Sequence, residues 1–386
     1  MFKNREFKIF LKKTIFPLLT LANKLIPKDD KVILLYTANN GVSFCNLTMR
    51  KYLLDHDYDK KYKIYCGIEN MIYAEDIPRV TFVSGIKALL VFLKSAHVFY
   101  TVGQIPVKPS PKQCVIQMQH GNADIKRMAN STNIGNGDEF FFTYMISPSD
   151  FYIKIHAKAY LCSESNIVVA GDPMCDELLT APRDSYDFSR FKKVLFWVPT
   201  YRQSEYLGYD DSHIETLVPL FHEEDYEELN NILERYNIHL IVKLHPVQTA
   251  PEGTRRHFSH LSVFSHQEFV ESEYDMYTLM AQSDGLIGDY SSASMQYLLT
   301  DRPLAFVVPD LEDYGKTRGF IFERPEDYMA GHIIKTKKEF YNFIDDFAND
   351  KDLYKEKRHR VCDLIYKYHD ANSCERIVKL SGLNLD

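Results

Sequence analysis

Tryptophan occurs once in this chain of 386 residues, no pair of its seven cysteines forms a C-x-x-C, and no apolar run is long enough to cross a bilayer. Each absence removes a class. The cysteines (45, 66, 114, 162, 175, 362, 374) are odd in number and scattered, which excludes a zinc ribbon and a disulfide framework and fits a reduced compartment. No G-x-x-x-x-G-K-[ST] occurs, so an ATP-type P-loop is absent, and no G-x-S-x-G marks a hydrolase. Basic residues are not in excess: the net charge is -7, which argues against a nucleic-acid coat. Asp55-His56-Asp57 has the look of an acidic metal triplet, but it stands at the polar end of a helical run beside Tyr58, Asp59 and Lys60 and reads as a solvated turn. No metal and no cofactor are expected. There is no internal repeat and no low-complexity tract.

What is present is core material in a regular order. Hydrophobic residues make up 45% of the chain, enough for two domains of ordinary size. Short apolar runs predict strands at 32–36, 62–66, 80–83, 97–101, 115–118, 145–148 and 167–170, with helices over 47–54 and 86–93. After Gly171-Asp172-Pro173 and a polar linker at 181–192, a second series begins. It has strands at 194–198, 240–244, 262–264, 285–287 and 304–308, and helices over 224–236, 276–282 and 293–299. Two strong helices, 338–347 and 352–368, close the chain. This alternation predicts an α/β protein with two doubly wound parallel sheets, a domain over 29–180 and another over 193–386.

Residues 1–28 read differently. Lys3, Arg5, Lys8, Lys12, Lys13, Lys24 and Lys28 stand against a single acid, Glu6. Phe7, Phe10, Leu11, Leu18 and Ala22 fall at helical spacing, and Pro17 is expected to kink or interrupt the run. The uncharged stretch from Thr14 to Asn23 is shorter than the roughly 20 apolar residues a span requires. The segment is read as a basic amphipathic helix on the inner face of the membrane, with packing on the first domain as the alternative.

The most informative element is Gly288-Asp289-Tyr290-Ser291-Ser292. A buried strand feeds a helix start here. Such a junction offers free backbone N–H groups, and the two serines add hydroxyl donors for an anion. An ordinary Ser-capped helix is the alternative. Other chemistry-bearing stretches also follow strands. Gln119-His120-Gly121 comes after 114–118, Pro199-Thr200-Tyr201-Arg202 after 194–198, and Lys243-Leu244-His245-Pro246 closes 240–244. Leu311-Glu312-Asp313-Tyr314 leads to Arg318-Gly319-Phe320. Lys243 and His245 face one way by strand alternation, an arrangement that suits a phosphate. In open α/β sheets ligands sit beyond the carboxyl ends of strands, which would gather these motifs round one cleft.

Taken in order, these motifs resemble the CDP-glycerol:poly(glycerophosphate) glycerophosphotransferase family, the bacterial teichoic-acid and capsule polyol-phosphate transferases. The resemblance runs from about Val32 to the region near Lys335. It implies a GT-B-like fold, with two Rossmann-like domains facing a cleft. It also implies transfer of a polyol phosphate, most readily glycerol phosphate, from a CDP-polyol to a hydroxyl of a lipid-linked or polymeric glycan, with CMP leaving. His120 then takes the place of the family's catalytic histidine, with Gly121 permitting close approach and Lys126 standing where the family has a lysine. The family's Thr-Pro after His-Gly is replaced by Asn122-Ala123, and Met174 stands where the family has an arginine. His245 matches a donor-contacting histidine, and Ser291 and Ser292 become donor-phosphate ligands. Asp289 is structural or directed at the ribose. Thr200, Arg202, Lys243 and Arg318 are expected to offset the diphosphate charge. Two other readings stand beside this one: a GT-B glycosyltransferase using a nucleotide sugar, and a non-catalytic scaffold of a surface-polymer assembly.

Overall fold

Continuous apolar runs such as Val32–Leu35, every residue of which is buried, are what a parallel strand covered on both faces requires. The computed structural model describes residues 14–132, 137–200, 202, 212, 214, 216–245, 248 and 256–385. It divides into two α/β units, each with one all-parallel sheet.

The first unit comprises residues 1–122, 136–176 and 367–386. Its strands are β1 (Asp29–Tyr36), β2 (Lys63–Gly67), β3 (Val80–Val83), β4 (Ser95–Tyr100), β5 (Cys114–Gln117), β6 (Tyr144–Ser147) and β7 (Ile167–Val169). They lie in the order β3-β2-β1-β4-β5-β6-β7. The order reverses between β1 and β4, the switch point at which sheets of this kind open a crevice. The helix Ser373–Ser381, absent from the sequence reading, also belongs here. Asp176 accepts the backbone N–H groups of Ser373 at 3.0 Å and Cys374 at 2.8 Å, which satisfies the start of that helix.

Helix Phe16–Leu25 packs on this unit by one face. Phe16, Leu19 and Ile26 meet its core, and buried Asn23 donates to the Lys108 carbonyl and to Gln113. Its other face leaves Leu18, Leu21 and Leu25 exposed. Pro17 sits in the first turn of the α-helix, which directly follows Thr14 and Ile15, both π-helical. The expected Phe7, Phe10 and Leu11 lie outside the described residues. Among the described residues no helix is long and apolar enough to cross a membrane.

The second unit comprises residues 123–135 and 177–366. Its strands β8 (Lys193–Trp197), β9 (Ile238–Lys243), β10 (Leu261–Phe264), β11 (Gly285–Gly288), β12 (Leu304–Val307) and β13 (His332–Ile334) lie in the order β10-β9-β8-β11-β12-β13. Here the switch falls between β8 and β11. The single tryptophan, Trp197, is fully buried in the core and stacks on Phe340 at 5.3 Å. Strand β13 was missed in the sequence because it is three residues long and begins with His332. The units are not contiguous segments: the chain passes to the second unit directly after Asn122, a division that the pattern of strands does not reveal.

Candidate functional site

In the first unit His120 stands three residues beyond β5, exposed, between the buried Gln119 and Gly121. The turn is held from beneath. Gln119 adopts a positive φ of 63°. Its carbonyl accepts the Thr101 hydroxyl, its N–H donates to Gln117 Oε1 at 3.0 Å, and its Oε1 accepts the Tyr160 hydroxyl at 3.1 Å. Gly121 has φ 127°, a conformation natural to glycine, and Asn122 anchors the exit by donating to the Gly171 carbonyl at 3.1 Å. A strained, well-bonded turn thus projects one imidazole outward. His120 lines a cavity of about 870 Å³ with Thr101, Gln117, Gln119, Phe140 and Tyr160. The Phe44 ring lies 5.5 Å from the imidazole.

The second unit gathers the other motifs at the carboxyl ends of its strands. Asp289, buried, follows β11 and organises the loop after it. Its Oδ2 accepts the Thr200 N–H at 2.6 Å and Arg202 Nη1 at 2.6 Å, and its Oδ1 accepts the Thr200 hydroxyl and the Ser291 N–H at 3.1 Å. Arg202 is buried too. It donates through Nε to Asp310 at 2.9 Å and lies over the Tyr290 ring at 4.8 Å. Asp310 also accepts the Ser212 hydroxyl and, at 3.0 Å, the Tyr290 hydroxyl. Burial opposes the charges, but Asp289 and Asp310 together raise the Arg202 pKa still further. For Asp310 burial is likewise outweighed: Arg202, Ser212 and Tyr290 hold its carboxyl below the usual value.

This differs from the expectation that Thr200 and Arg202 reach for a diphosphate. Thr200 spends both its donors on Asp289, and the Arg202 charge is already matched by two carboxylates. Asp310 escaped the sequence reading. The signal was available, since it follows β12 just as the other motifs follow their strands.

Ser291 and Ser292 are half-buried. Ser291 caps the short helix Ser292–Tyr297 by accepting the Ala293 N–H at 3.3 Å. The same unit carries the cationic candidates. Lys243 is half-buried at the end of β9, its ammonium 5.4 Å from the Phe269 ring, and burial lowers its pKa. His245 is reached by solvent, yet enough protein surrounds its ring that desolvation comes first, followed by Lys243 and Lys126, and its pKa falls to about 4. Asp289 and His266 also act on it. The imidazole is therefore neutral near pH 7.

The segment after His120 joins this set. Lys126 and Phe320 form an antiparallel bridge, the Arg127 N–H donates to the Gly319 carbonyl at 2.9 Å, and Arg318 Nε donates to the Arg127 carbonyl at 3.2 Å. Gly319 has φ 82°, and a Cβ there would lie 2.9 Å from Arg127 Cδ, so any other residue would be strained and would displace the Arg127 side chain. The segment around Lys126 and the Arg318-Gly319-Phe320 motif, far apart in the sequence, are one structure. Arg318 ends helix Leu311–Thr317 and does not follow a strand. Burial raises the pKa of Asp124 although Lys126 and Arg318 pull it down. Among the described residues no group of three His, Cys, Asp or Glu side chains is arranged to hold a metal.

Residues 18–381 match the family described as CDP-glycerol:poly(glycerophosphate) glycerophosphotransferase. The teichoic acid ribitol-phosphate polymerase TarK of Staphylococcus aureus is 27% identical over 97% of this chain and 72% of its own length. The ribitol-phosphate polymerase TarL of the same organism is 28% identical over 85% of this chain, which spans only 58% of it. Among solved structures, the wall teichoic acid polymerase TagF superposes with a TM-score of 0.73 at 19% identity, covering 98% of this chain and 95% of that one. That likeness is one of fold, and it bears out the α/β, GT-B-like class.

Proposed function

Because this chain belongs to the CDP-glycerol:poly(glycerophosphate) glycerophosphotransferase family and is a polyol-phosphate transferase, we propose that it carries the polyol phosphate of a CDP-polyol to a hydroxyl of a polymeric teichoic-acid acceptor. The acceptor oxygen attacks the phosphorus that bears the polyol, its proton passes to His120, the bond to the CMP oxygen breaks, and CMP leaves. The observation that carries this reading is the exposed imidazole of His120 on a rigid turn at the wall of a large cavity. Imidazole, whose unperturbed pKa lies near neutrality, is the side chain best suited to act as a general base in such a place.

The donor belongs to the second unit. Ser291 and Ser292 supply hydroxyls to the diphosphate, while Lys126, Lys243 and Arg318 supply charge. His245, neutral, adds a ring N–H rather than a cation. Thr200, Arg202, Asp289 and Asp310 are positioning residues that hold the serine loop. The polyol is the open choice: the family is named for glycerol, and TarK and TarL for ribitol. A lipid-linked acceptor and attachment to the inner face of the membrane complete the proposal. They are supported by the basic residues of 1–28 and by the exposed Leu18, Leu21 and Leu25.

The test is CMP release from CDP-glycerol and CDP-ribitol with a polyol-phosphate polymer as acceptor. Wild type should turn over at least one donor. His120→Ala should lose about 10²–10⁴ in kcat with its thermal midpoint unchanged. Full turnover by that variant would remove His120 as the base.

A further inference from the structure

Phe44 occupies a position that neither folding nor capping favours. It precedes helix Cys45–Asp55, where Ser, Thr, Asp or Asn would supply a capping oxygen and a phenyl ring supplies none. Its backbone, at φ 53° and ψ -138°, is that of the first central residue of a type II′ turn, a conformation that glycine adopts freely and a side chain only under strain. Its carbonyl accepts the Leu47 N–H at 2.9 Å, a bond that any residue here would make. The ring is not core material either, since the residue is 41% exposed. What the strained backbone achieves is placement: the ring comes to lie 5.5 Å from the His120 imidazole, tilted 56° to it. The loop that carries it leaves β1, one of the two strands at the switch point of the first sheet, where ligands of such sheets bind. Backbone strain retained beside a reactive side chain points to use rather than to packing.

We propose that Phe44 is an acceptor subsite: its ring face receives the C–H face of a sugar or polyol unit and thereby turns that unit's hydroxyl toward His120. The chemistry selects the ligand class. A molecule that meets an uncharged aromatic face and an imidazole together must offer carbon-bound hydrogens on one side and a hydroxyl on the other. Of the donor, the diphosphate, all oxygen and charge, does not fit a phenyl face, and the cytosine, which could stack on one, is tethered to the diphosphate that the second unit holds. The inference rests on the role given to His120 above.

The experiment compares Phe44→Gly, Phe44→Leu and Phe44→Tyr with His120→Ala, using a polyol-phosphate polymer as acceptor. Glycine relieves the strain, so Phe44→Gly should melt at or above the wild-type midpoint. Its kcat/KM for the acceptor should nevertheless fall roughly five- to tenfold, the scale of one aromatic contact, while KM for the CDP-polyol stays unchanged. Phe44→Leu, which keeps bulk but loses the ring face, should fall as far, and Phe44→Tyr should retain wild-type values. Wild-type acceptor kinetics in the Gly or Leu variant would overturn the subsite, as would a parallel rise in donor KM. If His120→Ala itself remains active, it is the assignment of the base that fails.

Discussion

Asp289 accepts the backbone N–H of Thr200 at 2.6 Å, and so ties the loop after β8 to the loop after β11 at the point where the second sheet reverses its strand order. The same carboxylate holds Arg202 and the Ser291 N–H. One buried charge therefore sets the position of the serines at the helix start.

Asp289→Asn is expected to be costly, because it leaves Arg202 buried with Asp310 as its one remaining counter-charge. Removing one partner of a buried ion pair costs about 3–5 kcal/mol, and the surviving carboxylate puts this case at the low end. Denaturant titration gives the value. A loss below about 1 kcal/mol would mean that the loop does not depend on this charge.

Ser291→Ala and Ser292→Ala separate capping from binding. Only Ser291 caps the helix, so only its variant should lose about 1 kcal/mol of stability. The double variant should weaken CDP-polyol binding by roughly 1–3 kcal/mol, measured by calorimetry. Unchanged affinity would place the diphosphate elsewhere.

His245 should titrate near pH 4, as burial comes first and Lys243 and Lys126 add to it. The folded value lies below the unfolded one, about 6.5, so the unfolded chain binds the proton more readily below that pH. The stability linked to this group is present above pH 6.5 and is lost as pH falls towards 4. An NMR titration follows the ring directly, and His245→Gln should flatten this part of the stability profile. A midpoint above 7 would show an imidazole that is mostly charged at neutral pH and restore it as a cation for phosphate.

Replacing Leu18, Leu21 and Leu25 with Glu should abolish sedimentation with anionic vesicles. These side chains are exposed, whereas Phe16, Leu19 and Asn23 hold the helix to its unit, so the fold should survive. Each leucine taken into the interface is worth roughly 1.5–3 kcal/mol. High salt should weaken attachment of the wild type without ending it, because the basic residues of 1–28 are screened and the leucines are not. Full sedimentation of the triple variant would locate attachment on another surface.

Among the described residues, the sequence by itself determined every strand but β13, their alternation with helices and the chemistry at their ends. Apolar runs bounded by glycine, proline and polar turns are local signals, and residues such as His120, His245 and Ser291 sit where a strand stops. Only the tertiary structure decided what those residues meet. Arg202 faces two carboxylates 87 and 108 residues away, and Lys126 bridges to Phe320. The helix Ser373–Ser381 returns to the first unit through Asp176. Phe44 gives no local sign of its strained turn or of its approach to His120. The reason is physical. Backbone conformation follows from neighbours along the chain, but the partner of a buried charge is chosen by the order in which strands assemble, and that order is not written in any one segment.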